Sequence, residues 1–537
     1  MVYLHGRVQS VAVKLIVDRE GEIQKFIPEE YWNIYATLQD EKSKKTFEAK
    51  FYGKNNKKLE LHKKEEVDKI LEQIEKANYI VQEVKRGEKK RTPAPPFTTS
   101  TMQQEASRKL GFTLKKTMSV AQTLYEGVKI PEKGTVGLIT YMRTDSTRIS
   151  EVARAAAKVE ILRTYGEEYY ENRYYRTGKD AQDAHEGVRP TYADIKPEDI
   201  KDVLTNDQYK LYKLIYNRFI ASQMSVAVYD TLSVTIEANS YIFKANGQNL
   251  KFKGFMVLYV EGEEDKQEEE NTKIPDLQEN QIVKRQNIEP KQSFTEPPPR
   301  YTEASLVKAL EEEGIGRPST YSPTITTILE RRYIEKVQKQ LAPTDLGIIV
   351  NKLLIENFKD VVNVEFTANM ENEFDKIAEG KEEWKKVIKE FYTPFEKVVE
   401  KVEKELEHVK LVEEVSDVPC EKCGKMMVIK YGKYGKFLAC PGYPECKNAK
   451  PFVETIDVPC PKCGAKVQIR KTKKKRNYYI CENNPASCDY ISWNKPKKGE
   501  KWNPEEKVEL EEKVTKKKKT TKKTTAKKST TKTAKKK

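Results

Sequence analysis

The chain has 537 residues, 37% of them hydrophobic, and a mean hydropathy of −0.78. It is long enough for several domains, each with its own core, and polar enough to be soluble. No apolar run approaches the roughly 20 residues that span a bilayer, and the opening MVYLHGRVQS has neither the basic nor the apolar region of a signal peptide, so the expected compartment is the cytoplasm, with no membrane partner.

In chain order, Val8, Val11 and Leu15 fall at helical spacing in RVQSVAVKLIVDRE (7–20), which predicts a helix ending near Gly21. Residues 30–60 alternate in the manner of strands. The Pro-rich KRTPAPPFTTS (90–100) reads as a boundary, after which Thr101 and Gln104 form a capping box for a helix through Leu110. A second helix is predicted from Leu114 to Glu126, stopped by Gly127. Gly134–Met142 reads as a turn and strand, and Ser150 caps the helix EVARAAAKVEILRTYG. Residues 226–260 look β again, and an acidic linker, EGEEDKQEEEN, separates them from a helical block at 300–410.

The net charge of +16 is concentrated at the far end. Residues 513–537 hold 13 lysines and no acid, which leaves 16 − 13 = +3 for the rest. This tail alternates Lys with Thr, Ser and Ala, cannot bury a core, and is expected to be a disordered cationic arm. A solubilising role is the plain reading. The functional one is a tether to a polyanion, nucleic acid first, because phosphates that meet lysines release their counterions.

All eight cysteines lie between Cys420 and Cys488. Cys420-x2-Cys423 is followed by Cys440-x5-Cys446, and Cys460-x2-Cys463 by Cys481-x6-Cys488, two units that begin 40 residues apart. Each supplies the four thiolates of a tetrahedral structural zinc site, and four cysteines leave no open position for catalysis. Redox pairs or disulfides are the competing reading. Around the cysteines lie Lys433, Tyr434, Lys436, Phe437 and Tyr443, then Lys473, Lys474, Lys475, Arg476, Tyr478, Tyr479 and Trp493. Cations interleaved with aromatics suit single-stranded nucleic acid, although some of these rings must form the small core of each unit.

The segment LITYMRTDST (138–147) sets Tyr141 beside Arg143 and Asp145. A phenol with a pKa near 10 needs cations to favour its ionised form before it acts as a nucleophile. Arg143 would share its side of a strand if the strand persisted, Asp145 could orient that arginine, and Thr144, Ser146 and Thr147 could donate to a phosphate. Alone this is a weak signal, since the chain has 29 tyrosines.

Five segments together say more. GRVQSVAVKLIV, FTTSTMQQEASRKLGF, TVGLITYMRTDSTRIS, AQDAHEGVRPT and PPPRYTEASLVKALEEEGIGRPSTYSPTI resemble, in this order, the signature segments of bacterial DNA topoisomerase I, a type IA topoisomerase. The resemblance spans roughly residues 5–400 plus the tandem cysteine units. It implies a multidomain α+β protein, with mainly helical core domains and a β-rich arch, followed by two C-terminal zinc ribbons and the disordered basic tail. The core would be 1–410, discontinuous, with 99–225 holding the tyrosine; the ribbons would be 415–453 and 455–498.

The resemblance also implies roles. Tyr141 would attack a DNA phosphodiester to form a 5′-phosphotyrosine and free a 3′-hydroxyl. Arg143 would contact the scissile phosphate, and His185 would lie near the active site. Arg7 and Gln9 of GRVQS, Asp145, and Arg317, Ser319 and Thr320 of GRPSTY would contact DNA. The implied activity is ATP-independent relaxation of negatively supercoiled DNA at single-stranded regions, in the nucleoid, and no GxxxxGK[ST] motif argues otherwise.

The family carries a Toprim domain ahead of GRVQS, with a glutamate and an acidic Mg2+ site. GRVQS begins at residue 6 here, so the expectation is a chain without that domain: a truncation, a fragment, or a split enzyme with a separate Toprim-containing chain. Such a chain would nick single strands but relax supercoils poorly. Asp18, Glu20 and Glu22 of VDREGE would share one face on a strand, but the helical spacing makes them a solvated helix end. The alternative function is a non-catalytic single-stranded DNA-binding subunit or fragment. A reverse gyrase fragment lacks support, because no helicase motif is present.

Overall fold

The first helix, α1 (Arg7–Lys25), buries Val11, Ala12, Val13 and Ile16. It runs through Gly21, four residues past the expected stop, because Gly21 faces open space and costs only its own entropy there. The fold is a computed structural model that describes residues 6–131, 133–175, 185–262, 274–405, 414–432, 435–471 and 477–496. It divides into two compact units, Met1–Lys404 and Glu405–Lys537. The Lys-rich tail and most of the acidic linker lie outside the described residues. No helix among those described is long and apolar enough to cross a membrane.

In the first unit β1 (Glu30–Asp40), β2 (Thr46–Lys54) and β3 (Lys57–Lys58) lead into α2 (Lys64–Ile74) and β4 (Tyr79–Arg91). Then come α3 (Thr99–Leu110), α4 (Leu114–Glu126), the short pair β5 (Val128–Ile130) and β6 (Gly134–Val136), α5 (Glu151–Thr164) and α6 (Asn206–Ser222). Strands β7 (Ala227–Ala238), β8 (Tyr241–Phe252) and β9 (Ile282–Phe294) follow. The unit closes with α7 (Glu303–Glu312), α8 (Tyr321–Glu330), β10 (Ile334–Val337), β11 (Gln340–Pro343), α9 (Asp345–Asn357), α10 (Val364–Ala378) and α11 (Trp384–Glu405).

Seven strands form one antiparallel sheet in the order β1-β9-β4-β7-β8-β2-β3, and β1 also pairs with β2, which closes the sheet on itself. Its interior holds Ile34, Leu38, Phe47, Val81, Ile236 and Phe243, capped by Val67, Ile70 and Ile74 of α2. Those three lie at i, i+3 and i+7, one face of a helix. A second core joins α3, α4, α5 and α6 through Met102, Leu124, Ala157, Leu211 and Phe219, and it includes Leu138, Ile139 and Met142. A third sets α1 against α7, α8 and the β10–β11 hairpin.

Three expectations need correction. The capping box of α3 is Thr98 with Thr101, three residues ahead of the expected pair. The run of hydroxyls offered several caps, and Phe97, paired to Val188, sets the entry point. Residues 255–260 are not strand: Gly254, at φ +48° and where a Cβ would sit 2.2 Å from the Val226 carbonyl oxygen, turns the chain into a 3-10 helix. The 300–410 block is broken by a hairpin, β10 on β11.

In the second unit β12 (Glu414–Pro419), β13 (Met426–Gly432), β14 (Gly435–Ala439) and β15 (Ala449–Pro451) form one four-stranded antiparallel sheet. The same design repeats in β16 (Glu454–Pro459), β17 (Lys466–Lys471), β18 (Asn477–Cys481) and β19 (Ile491–Ser492).

Candidate active site and metal centres

Tyr141 follows a segment fixed on both sides. Gly137 lets the chain pass the end of α4, where a Cβ would sit 2.8 Å from the Tyr125 carbonyl oxygen, and Leu138 N–H donates to the Leu124 carbonyl at 2.8 Å. On the other side Thr140 N–H donates to the Arg189 carbonyl at 2.9 Å, and its hydroxyl donates to the Gly187 carbonyl at 2.8 Å. Beyond Tyr141 the chain is pinned by Thr99, at the start of α3. Its hydroxyl donates to the Met142 carbonyl at 2.7 Å and accepts from Thr144 N–H at 2.8 Å. Both Thr99 and Thr144 are buried, so these bonds form away from water.

The expected strand therefore does not persist. Only Gly134–Val136 is strand, and Tyr141 and Arg143 lie in an irregular loop. Tyr141 is half-buried and Arg143 exposed. The Tyr141 ring contacts two others: Tyr125, edge-on with centroids 5.4 Å apart, and His185, tilted by 35° at 5.2 Å. His185 is thus brought to the tyrosine. Its neighbours Glu186 and Arg189 pair with each other, at 2.6 Å from Arg189 Nε, while Glu186 also accepts from Ser150 N–H at 3.0 Å.

Two of the hydroxyls expected to meet phosphate are spent on the loop itself. Thr144 Oγ1 accepts from Ser146 N–H at 3.0 Å and Ser146 Oγ from Arg148 N–H at 3.1 Å, and both side chains are buried. Asp145 lies near the start of α8. Burial, the Glu311 carboxylate and Asp145 all raise the Tyr321 phenol, with Arg317 opposing. The tyrosine loop and the GRPSTY segment are thereby neighbours. Ser100 of α3 donates to Glu311 of α7 at the same seam.

Two of the remaining predicted contacts, Arg317 and Arg7, meet on α10. Arg317 reaches Asp375 Oδ2 at 2.6 Å from Nη2 and 3.1 Å from Nε, and its Nη1 donates to the Gly316 and Gly314 carbonyls at 2.8 and 3.1 Å. Arg7 pairs with Glu371, donates to the Thr367 carbonyl and lies over the Phe374 ring. Burial holds Arg7 below its ordinary value, Arg317's charge adds to that, and Glu371 opposes it. Gln9 accepts from Arg331 at 3.1 Å. Ser319 is exposed, whereas Thr320 Oγ1 accepts from Arg317 N–H at 2.8 Å and so caps its own turn. Glu20 is not a solvated helix end. It forms a fork with Arg300, at 2.6 and 2.7 Å, that lowers its carboxyl through the hydrogen bond against the pull of burial.

The eight cysteines fall into two sets of four, Cys420, Cys423, Cys440 and Cys446, and Cys460, Cys463, Cys481 and Cys488, with sulfurs in each set within 4.8 Å of one another. Sulfur separations of 3.3 Å between Cys423 and Cys440 and 3.4 Å between Cys463 and Cys481 are far beyond a covalent S–S bond. Each CxxC turn closes by a hydrogen bond onto the first cysteine's carbonyl, from Gly424 or Gly464 N–H at 2.8 Å, with these glycines at φ +73° and +77°. N–H groups also aim at sulfur: Asn448 Nδ2 at Cys420, 3.3 Å, and Gly442 N at Cys440, 3.4 Å. The Asn448 bond pulls the Cys420 thiol down to about 6. A tetrathiolate set with N–H donors to sulfur fits structural zinc.

Tyr478 meets Trp493 edge-on at 6.0 Å, and Tyr443 is 68% exposed, while Tyr479 packs into its ribbon's core. Phe437 is half-buried. Lys433, Tyr434, Lys473, Lys474, Lys475 and Arg476 lie outside the described residues, as does the side chain of Lys436.

Sequence reasoning missed Tyr125, Thr99, Glu371, Asp375 and Asn448. Nothing local marks them, because each acts on a residue that only the fold brings near.

The first unit thus sets a half-buried tyrosine against two rings, with an exposed arginine two residues along, and the second unit holds two sets of four thiolates. A family model described as DNA topoisomerase matches residues 2–389, and one described as topoisomerase DNA binding C4 zinc finger matches 417–455 and 457–497. The chain belongs to the type IA topoisomerase family. It is similar to the full-length topoisomerase I of Thermotoga maritima, with 37% identity and a TM-score of 0.66 over 84% of this chain and 72% of that one.

Proposed function

We propose that the chain cuts one DNA strand through Tyr141 and reseals it, relaxing negatively supercoiled DNA without ATP. The phenol gives up its proton, its oxygen bonds to phosphorus, and the P–O3′ bond breaks as the 3′-oxygen takes a proton. One phosphodiester is exchanged for another, so the energy of the cut is kept in the 5′-phosphotyrosine. The observation that supports this best is the setting of Tyr141: a half-buried ring in contact with Tyr125 and His185, on a loop pinned by Thr99, with Arg143 exposed beside it.

Arg143 then meets the scissile phosphate, His185 supports the Tyr141 ring, and Arg7, Gln9, Asp145, Arg317, Ser319 and Thr320 border the strand. The ribbons and the Lys-rich tail hold single-stranded DNA by stacking and charge, which would keep the protein on the nucleoid. The Mg2+ that the family uses finds no fit here: among the described residues the two cysteine sets are the only groups that could hold an ion. Full relaxation would then draw on carboxylates outside those described, in this chain or a separate one.

A negatively supercoiled plasmid tests the reading. Nicked, protein-linked DNA from wild type and none from Tyr141→Phe would support it. Equal binding with no nicking by wild type, with or without added Mg2+, would favour the single-strand-binding module instead.

A further inference from the structure

Arg7 and Arg317 are separated by most of the first unit in sequence, yet both guanidinium groups end on one helix. Their partners, Glu371 and Asp375 of α10, are four residues apart and share a face, with about 5–6 Å between such Cβ atoms. The Arg317 fork is fully engaged: Asp375 takes Nε and Nη2, the Gly314 and Gly316 carbonyls take Nη1, and Asn372 Oδ1 lies 3.4 Å from Nη2. Arg7 gives one donor to Glu371 and one to the Thr367 carbonyl. A phosphate reaching Arg317, or taking the Glu371 position on Arg7, must take the place of a carboxylate.

We propose that Glu371 and Asp375 stand in for two successive backbone phosphates, so that DNA binds here by exchange, and that these two carboxylates set the affinity of the site. The planar Arg317 guanidinium, which donates from Nε and Nη2 to Asp375, can donate to a phosphate in the same two-pronged geometry, so the exchange needs no new arrangement of that arginine. Each pair is partly buried, with side-chain exposures of 15 and 10% for Arg7 and Glu371 and 25 and 22% for Arg317 and Asp375. The competing anion is therefore held at high effective concentration and little screened by salt. The site stays neutral until DNA arrives, and release is correspondingly quick, as a protein that must let go of each strand requires.

The inference rests on the reading that Arg7 and Arg317 contact the DNA backbone, and the test separates the two. Binding of a fluorescein-labelled single-stranded oligonucleotide is measured by anisotropy over a salt series, in the Tyr141→Phe protein so that no strand is cut. Glu371→Gln with Asp375→Asn should tighten binding about tenfold, since two buried anions no longer compete. It should also steepen the slope of log K against log salt by about 1.4, two phosphates at about 0.7 each for a single strand. Asp375→Asn alone should give about half that change, about 0.7 in the slope, and it remains interpretable if Glu371→Gln fails to fold. Equal or weaker binding by folded carboxylate variants, at unchanged slope, overturns the proposal while the arginine reading stands. No loss of binding in Arg7→Ala and Arg317→Ala overturns the arginine reading itself.

Discussion

The imidazole of His185 lies against the ring of Tyr141, with centroids 5.2 Å apart and planes tilted by 35°. Tyr125 also meets that ring, at 5.4 Å and close to edge-on. Ring pairs of this kind contribute about 0.5–1.5 kcal/mol beyond their buried area, enough to fix the direction of the phenol hydroxyl in a loop that has no strand to hold it. Tyr125→Ala should slow formation of the covalent adduct about tenfold, since misplacing a reacting atom is costly, and Tyr125→Phe should restore it. Single-turnover cleavage of an oligonucleotide measures both. Equal loss in the Phe variant would mean that the Tyr125 hydroxyl acts, not its ring.

Thr99 is the second support. Replacing its hydroxyl with a methyl in Thr99→Val removes bonds to Met142 and Thr144 and leaves buried backbone groups without partners. We expect a loss of about 1–3 kcal/mol, read from urea unfolding of the first unit. Cleavage should fall by more than binding, because Arg143 lies inside the released loop. A stability loss with unchanged cleavage would show that the pin serves the fold alone.

For the ribbons, metal analysis of the purified chain should find about two zinc ions, one per set of four thiolates. Asn448→Ala should speed zinc release from the first ribbon to a chelator about 10–100-fold and leave the second ribbon unchanged, because outer hydrogen bonds to ligands tune affinity by that much. Release at the wild-type rate would reduce Asn448 to a bystander.

Acid sensitivity has an identifiable source in Glu160 of α5. Burial pushes its carboxyl up, but hydrogen bonds from Lys196 and Thr164 and the charges of Lys196 and Arg163 outweigh it, so the folded value lies below the unfolded one. The group binds fewer protons when folded at intermediate pH. Its stabilisation is thus present above the ordinary carboxylate range and is lost as pH falls through the folded value. Glu160→Gln should lower stability at neutral pH and flatten the acid limb of a thermal-melt series. An unchanged acid limb would contradict this assignment.

How much of this was legible in the sequence depends on distance along the chain. Helix α4 and the Ser150 cap of α5 follow from local signals and stand where those signals put them. The CxxC turns do too, because a glycine and two sulfurs within five residues specify the backbone. The strand expected through Met142 does not form, since its backbone hydrogen-bonds to the end of α4 and to the 187–191 segment instead of to sheet neighbours. Glu20 differs from its local reading for the same reason: its partner, Arg300, is 280 residues away. Pairs of that kind carry no local pattern.

The central claim is that Tyr141, and no other tyrosine, becomes linked to DNA. The most direct measurement is mass spectrometry of a denatured cleavage reaction after nuclease and trypsin digestion. Trypsin releases residues 134–143, GTVGLITYMR, in which Tyr141 is the only tyrosine, whereas Tyr125 falls in the separate peptide 117–129. The account predicts a residual nucleotide on the first peptide, absent in Tyr141→Phe. Modification of the second, or adduct formation that survives Tyr141→Phe, would contradict it.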